Sequence, residues 1–151
     1  MDWTLEVVVV PVTDVDRAKA FYVDQVGFRL DHDINPGPGQ RLVQLTPPGS
    51  GCSIVLGKGM VPDMPPGSLK GLQLVVADVR KAREELVARG VDVGELQVYG
   101  SDPGTGALED LDNIGFIHFA DPDGNSWAVQ QISARAKNSP STTATTGAQP
   151  T

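Results

Sequence analysis

The chain has little of what several common kinds of protein need. It carries a single cysteine, Cys52, which excludes an internal disulfide and a cysteine-rich metal cage. No apolar run is long enough to cross a bilayer, and residues 1–4 lack the basic region of a secretory signal. We therefore expect a cytoplasmic protein with no membrane among its partners.

Basic residues are also too few and too scattered for a nucleic-acid partner. The formal net charge is −7 at pH 7, and no stripe of lysine or arginine runs along the chain. Because such a surface repels phosphate backbones, we expect no nucleic acid among the partners. What is present, 151 residues of which 40% are hydrophobic, suffices for one compact domain.

The body of the chain contains a faint internal repeat. In the first half, a strand at residues 5–12 precedes a helix that opens at Asp14 and ends near Gly27. In the second half, a strand at residues 72–76 precedes a helix from Asp78 to Gly90. Aspartate suits an N-cap, and glycine suits the left-handed residue after a last turn. Three strand-like runs follow each helix, at residues 28–32, 41–45 and 52–56, and at residues 91–98, 114–120 and 126–132.

This order, βαβββ twice, predicts an α+β fold. We expect a domain of residues 1–132 built from two modules, residues 3–57 and 70–132. Together they would form a curved eight-stranded mixed sheet around a cleft, with the helices outside. Residues 133–151, rich in Ser, Thr, Ala and Pro, have no periodic apolar face and are expected to be a disordered tail.

Two stretches of the chain resemble a known superfamily. The opening is Pro-Val-Thr-Asp-Val-Asp-Arg-Ala-Lys-Ala-Phe-Tyr at residues 11–22, followed by Val26, Gly27 and Phe28. The closing hairpin is Phe-Ala-Asp-Pro-Asp-Gly-Asn-Ser-Trp at residues 119–127. Together they resemble the vicinal-oxygen-chelate proteins, which include glyoxalases, dioxygenases and bleomycin resistance proteins. The likeness spans residues 4–132, and fold alone does not choose among these chemistries.

The resemblance also implies where a metal would be held. In metal-dependent members one ligand lies seven residues before each capping aspartate, which gives Val7 and Gly71 here. Another lies four residues after the turn glycine, which gives Ala128 and, by the repeat, Val55. None of these side chains has a lone pair for a cation, so we expect no metal and no cofactor.

Strand alternation then predicts the lining of the cleft. Apolar walls with a few neutral polar groups are typical of a small-molecule pocket. His118 is the titratable group expected there, where it would serve as an acid–base catalyst or simply as a hydrogen-bonded residue of the sheet. The predicted ligand-binding residues are Val7, Val9, Ser53, Val55, Gly71, Gln73, Phe116, His118, Ala128 and Gln130.

Three functional hypotheses remain open on the sequence. The first is a metal-free, bleomycin-resistance-like protein that binds a largely apolar or aromatic molecule; since such relatives usually build the cavity across a homodimer, we expect one here. The second is a cofactor-free lyase or isomerase in which His118 transfers a proton and Gln73 or Gln130 holds an oxyanion. The third, ranked last, is a metalloenzyme, a glyoxalase or dioxygenase, whose ligands lie in another register.

Overall fold

The computed structural model describes residues 1–100 and 107–137 of the chain. Its strands fall into two four-stranded mixed sheets, one from each half of the sequence. This confirms the α+β class, the two modules and the eight strands. Within the chain, however, backbone hydrogen bonds join the strands into two sheets of four and not into one sheet of eight.

Sheet 1 comes from the first module. Its strand order is β1-β4-β3-β2, with β1 parallel to β4 and the other pairs antiparallel. Short turns at Gly49 (φ +84°) and in the Pro36–Gly39 region of the sequence let the chain reverse. The strands are β1 (Val7–Val9), β2 (Arg29–Ile34), β3 (Arg41–Thr46) and β4 (Ser53–Lys58).

Sheet 2 repeats this plan in the second module. Its order is β5-β8-β7-β6, again with the first pair parallel and the others antiparallel. The predicted strand at residues 91–98 is reduced to a two-residue strand at its end. The strands are β5 (Leu72–Val76), β6 (Gln97–Val98), β7 (Gly115–Ala120) and β8 (Ser126–Gln131).

The helices begin and end where the capping residues predict. Helix α1 (Val15–Ala20) starts at Asp14, whose side chain accepts from the Arg17 backbone N–H at 3.1 Å, and continues as a π-helical turn (Phe21–Val26) to Gly27 at φ +94°. Helix α2 (Val79–Ala88) starts at Asp78 in the same way. A 3₁₀ turn (Leu108–Leu111) and a short helix α3 (Ser133–Lys137) complete the described elements.

Helix α3 lies where the composition predicted the start of a disordered tail. Ser133 is buried, and its hydroxyl and backbone N–H both donate to the Asp112 carboxylate, at 2.7 and 2.9 Å. These contacts fix residues that have no apolar face of their own. The rest of the predicted tail, residues 138–151, lies outside the described residues. Across the described ranges, no helix is long and apolar enough to span a membrane.

One hydrophobic core joins the two modules. The faces of the two sheets that carry Val43 and Leu56, and Ile117 and Val129, contribute to a single buried cluster with α1 and α2. Phe21, on the π-helical turn, contacts Phe119 of β7 with ring centroids 6.2 Å apart. The helices therefore pack on the closed faces of the sheets, in the core that both modules share.

Candidate functional site

Each sheet has a closed face that packs on the helices and an open face on its other side. Register pairing identifies the open face of sheet 1. Val9 pairs with Val55, Val55 with Gln44, and Gln44 with His32, so these four side chains form one row across the sheet. Val7 and Ser53 form a second row beside it.

The open face of sheet 2 is built in the same way. Gln73 pairs with Ala128 and Ala128 with His118, while Val75 pairs with Gln130 and Gln130 with Phe116. The Val9–Val55 pair of the first module corresponds to the Gln73–Ala128 pair of the second. Each pair joins the first strand of its module to the last strand, which runs parallel to it. The internal repeat read from the sequence is thus also a repeat of strand register.

The ten residues expected to line a cleft all lie on these two open faces. Four are on sheet 1, and six are on or directly beside sheet 2, since Gly71 precedes β5 and its N–H faces the Ser126 hydroxyl at 3.4 Å. The two groups do not face each other within one chain. Because the closed faces share the core, the open faces point away from it on opposite sides.

The two open faces differ in exposure. On sheet 1, Val55 and Ser53 retain only 5% and 6% of their surface. On sheet 2, Gln73 and His118 are exposed. Gln73 and His118 are therefore less covered than Val55 and Ser53, and the His118 ring is stacked near that of Phe116, with centroids 6.3 Å apart.

The four positions at which the resemblance would place metal ligands lie on these faces. Val7 and Val55 lie in adjacent rows of open face 1, while Gly71 directly precedes β5 and Ala128 pairs with Gln73 of that strand. Their side chains are hydrocarbon or absent, so they do not fit a zinc, nickel or iron ion, which binds nitrogen, oxygen or sulfur atoms. In the part of the chain that the structure describes, no three His, Cys, Asp or Glu residues are grouped closely enough to hold one.

The polar side chains of open face 2 form a directed chain. Gln130 donates from Nε2 to the backbone carbonyl of Asn113 at 3.0 Å, and its Oε1 accepts from Nε2 of Gln73 at 2.6 Å. Asn113 is held at φ +70°, a left-handed conformation that asparagine tolerates. Gln73 keeps its carbonyl oxygen and one N–H for other partners.

Open face 1 carries a hydrogen-bonded group that the sequence did not indicate. Thr46 donates from Oγ1 to the carboxylate of Asp31, and Thr46 Oγ1 lies 2.6 Å from the Ser53 hydroxyl. Asp31 also accepts from Arg29 Nε at 3.1 Å. A β-bulge at Asp31, between Leu30 and His32, makes this contact possible. We call these three residues the Asp31–Thr46–Ser53 chain.

The remaining reactive side chains stand apart from one another. His32 is exposed, as expected, but lies within β2 on the open face and not at a strand end. The Cys52 thiol is partly buried, 3.6 Å from the Ser53 carbonyl oxygen. His118 is paired through its backbone carbonyl with the Gly94 N–H at 3.0 Å. No pair among these groups is placed as a nucleophile and its base.

Cavities adjoin both open faces, and another lies in the core. One of about 510 Å³ adjoins open face 1 at Val9 and is bounded by the linker after β4, including Val61. A second, of about 260 Å³, lies between residues 47–50 and β5 and includes Gln73 of open face 2. A third, of about 310 Å³, lies between the modules on the helix side and is lined by core residues such as Phe28. The first two therefore extend the predicted ligand-binding surface.

Comparisons with known proteins agree with this architecture. Residues 4–129 match the model of the Glyoxalase/Bleomycin resistance protein/Dioxygenase superfamily. A search of the curated proteins finds no match.

Several solved structures share the fold. TnmS3, an antibiotic binding protein from Streptomyces sp. CB03234, is 37% identical over 87% of this chain and 98% of its own, with a TM-score of 0.68. A glyoxalase/bleomycin resistance protein from the same Streptomyces strain is 38% identical over 85% of this chain and 100% of its own, with a TM-score of 0.64. A member of the superfamily from Sphaerobacter thermophilus DSM 20745 is 26% identical over 86% and 98%, with a TM-score of 0.67.

The match covers most of the chain, and the repeated βαβββ module and its register agree with it. The chain belongs to the glyoxalase/bleomycin resistance protein/dioxygenase superfamily.

Proposed function

We propose that this protein is a metal-free binding protein that holds a small, largely apolar or aromatic molecule between two open faces. The observation that carries the proposal is the composition of those faces. Valine, alanine and phenylalanine side chains alternate with a few polar groups, and no side chain at the positions of the metal ligands has a donor atom for a cation. Apolar walls supply affinity, and sparse polar groups orient a ligand.

A cleft lined by both open faces requires a second copy of the chain. Since the open faces of one chain point in opposite directions, sheet 1 of one copy has to meet sheet 2 of another. Twofold symmetry then produces two identical clefts per homodimer. An eight-stranded sheet, expected within one chain, would form in this way across two copies.

Exposed groups along the edges of the sheets support this assembly. β1 and β5 are edge strands of their sheets, so each has a row of backbone groups without a neighbouring strand in its own sheet. The segment leading into β1 exposes 86% of Trp3 and 67% of Leu5. Large apolar side chains exposed beside a free edge are typical of an interface.

The relatives favour binding over catalysis. TnmS3 is described as an antibiotic binding protein, and it shares 37% of its residues with this chain over nearly its whole length. We infer by this likeness that the ligand belongs to the antibiotics or to other aromatic metabolites. The unpaired cysteine fits a reducing compartment, and we propose the cytoplasm.

A ligand screen with a metal analysis tests the proposal. We expect at least one aromatic antibiotic or metabolite to raise the melting temperature, because a ligand that binds only the native state stabilises it. Ala128→Trp should abolish this shift by filling open face 2, whereas Val87→Trp, on the exposed side of α2, should preserve it. Stoichiometric zinc, nickel, iron or manganese in protein purified without a polyhistidine tag would contradict the metal-free assignment.

A second candidate is a cofactor-free lyase or isomerase. It is favoured by one observation: Gln73, Ala128 and His118 share a row, so an amide and an imidazole face the same ligand from strands roughly 10 Å apart. His118 would act as the acid–base group and Gln73 or Gln130 would hold an oxyanion. If His118→Ala leaves turnover of a candidate substrate unchanged, this function is excluded.

A further inference from the structure

The Asp31–Thr46–Ser53 chain has a fixed proton direction. Thr46 has one hydroxyl proton, and it goes to the Asp31 carboxylate. A hydroxyl that donates elsewhere can only accept from its other neighbour, so the proton between Thr46 and Ser53 belongs to Ser53. Ser53 therefore has no proton left, and its oxygen presents lone pairs only.

The ionised carboxylate of Asp31 sets this direction, because it can only accept hydrogen bonds. Burial raises the pKa of Asp31, but the hydrogen bonds from Thr46 and Arg29 outweigh it and hold the pKa below its ordinary value. Asp31 is thus an anion at neutral pH and accepts from both sides. Arg29 Nε, 3.1 Å from Oδ1, leaves Oδ2 for Thr46.

The matching serine of the second module lacks this constraint. Ser126 stands on β8 where Ser53 stands on β4, next to the strand parallel to each. Its hydroxyl accepts from the Gly71 N–H at 3.4 Å, and no acceptor for its own proton is found among the residues described. Ser126 can donate or accept, whereas Ser53 can only accept.

We propose that Ser53 makes open face 1 selective for aromatic ligands that carry a hydrogen-bond donor, such as a phenolic hydroxyl or an amine. The inference rests on the proposed function and adds the chemical class of the ligand. A donor on the ligand meets the Ser53 lone pairs. An ether or carbonyl oxygen at the same point has no proton to share, so it is disfavoured because its lone pairs face those of Ser53.

Replacing Asp31 by asparagine is expected to reverse the direction of the hydrogen bonds in the Asp31–Thr46–Ser53 chain. In Asp31→Asn, Oδ1 keeps its contact with Arg29, and the amide N–H₂ stands where Oδ2 was and donates to Thr46. Thr46 then donates to Ser53, and the Ser53 proton becomes available to a ligand. One substitution is therefore expected to convert an acceptor into a donor without removing any of the three side chains.

The binding test uses two probes with the same rings, 2-naphthol and 2-methoxynaphthalene, titrated against the full chain by NMR. We expect wild type to prefer the naphthol by about five- to tenfold, the worth of one hydrogen bond. Asp31→Asn and Ser53→Ala should bring this preference below about twofold, while Thr46→Ser and the matched control Ser126→Ala should keep it. If wild type binds the two probes equally, the proposed ligand selectivity is wrong, but the proton direction within the Asp31–Thr46–Ser53 chain is not affected.

The proton direction is tested without a ligand by neutron diffraction of deuterium-exchanged crystals. In wild type, nuclear density should place deuterium on Ser53 Oγ pointing to Thr46, and in Asp31→Asn it should lie on Thr46 pointing to Ser53. Deuterium on Thr46 pointing to Ser53 in wild type would overturn the inference. If neither naphthalene binds wild type while the deuterium lies on Ser53, the aromatic-ligand function fails and the direction of the chain stands.

Discussion

The Tyr22 hydroxyl donates to Oδ2 of Asp121 at 2.8 Å, across 99 residues of sequence. It accepts at the same time from the Trp127 indole N–H at 2.9 Å. Burial, followed by the nearby Asp121 charge, raises the pKa of Tyr22 far above its usual range, so the phenol stays neutral and keeps its proton for the carboxylate. The first module's helix is thus hydrogen-bonded to the second module's closing hairpin.

We expect Tyr22→Phe to destabilise the protein by about 1–3 kcal/mol, because it leaves a buried carboxylate and a buried indole N–H each short of one partner. The free energy of unfolding in urea measures the effect. Tyr99→Phe is the matched control. Tyr99 is 51% exposed and its hydroxyl donates to Gln97 at the surface, so water replaces the lost bond. Equal losses in the two variants would contradict the structural role of Tyr22.

The closing motif has more roles than its sequence indicated. Asp-Pro-Asp-Gly forms the turn of the closing hairpin, with Gly124 at φ +99°. In addition, Asn125 Nδ2 donates to the Pro11 carbonyl at 2.8 Å, and Asp123 accepts from the Thr13 hydroxyl at 2.6 Å. These partners are more than a hundred residues away, so no local pattern could indicate them.

A substitution at Gly67 tests whether the linker between the two modules packs closely on this hairpin. A Cβ at Gly67 would lie 2.0 Å from the Asp123 carbonyl oxygen, and the backbone there is at φ +79°. Gly39→Ala is the control, since Gly39 has a similar φ of +71° and nothing within 4 Å of its would-be Cβ. We expect Gly39→Ala to destabilise the protein by about 1 kcal/mol, because alanine disfavours the left-handed backbone conformation at this position. Gly67→Ala should cost at least about 2 kcal/mol more, because backbone has to move.

Thermal or urea denaturation of the two glycine variants decides this point. If Gly67→Ala is no less stable than Gly39→Ala, the linker does not pack on the closing hairpin as described.

Strand alternation was sufficient to predict which residues lie on the open faces, but not how those faces are arranged. Val7, Val55, Gln73 and Ala128 follow from a period of two. The bulge at Asp31 interrupts that period: Leu30 pairs opposite Leu45 on the closed face, while His32 pairs with Gln44 on the open one. The Asp31–Thr46–Ser53 chain depends on this bulge, and the residue types around Asp31 do not indicate that a bulge forms there.

The position of the helices was likewise beyond a local pattern. An apolar stripe on α1 predicts that one face is buried, but it does not say against which sheet. Phe21 contacts Phe119 and Tyr22 contacts Trp127, both in the other module, whereas α1 packs on β3 and β4 of its own sheet. Whether two modules share a core or a cleft is decided by such long-range contacts.

Asp33 is expected to make stability depend on pH in the acid range. Hydrogen bonds from Arg41, at 2.7 and 3.0 Å, and then from Lys19, at 2.7 Å, hold the pKa of Asp33 well below its ordinary value. A lowered native pKa contributes stability that is fully present above the unfolded value and is lost as the pH falls through the native one. The unfolded value is about 3.8.

Asp33→Asn should therefore be less stable than wild type by roughly 1 kcal/mol at pH 7, and the difference should shrink below about pH 4. Urea denaturation of both proteins between pH 7 and pH 2.5 measures it. Asp16→Asn is the control: Asp16 pairs with the same Arg41 at 2.9 Å, but its side chain is 77% exposed, so a smaller loss is expected. A constant difference at all pH values would contradict the role given to Asp33.

Trp3 provides a direct test of the proposed homodimer. It is 86% exposed in the single chain, whereas the other tryptophan, Trp127, is only 3% exposed. If the segment before β1 packs on a second copy, Trp3 emission should shift to the blue as protein concentration rises through the dissociation constant, while the Trp127 contribution stays constant. Trp3→Ala should remove the concentration-dependent shift and weaken the dimer by about tenfold or more in sedimentation equilibrium, since aromatic anchors dominate interfaces.

Val87→Ala is the control. It shortens a side chain that is 50% exposed on α2, and it should leave the dimer unchanged. A wild-type chain that sediments as a monomer at all concentrations would leave the two open faces unable to enclose a common ligand.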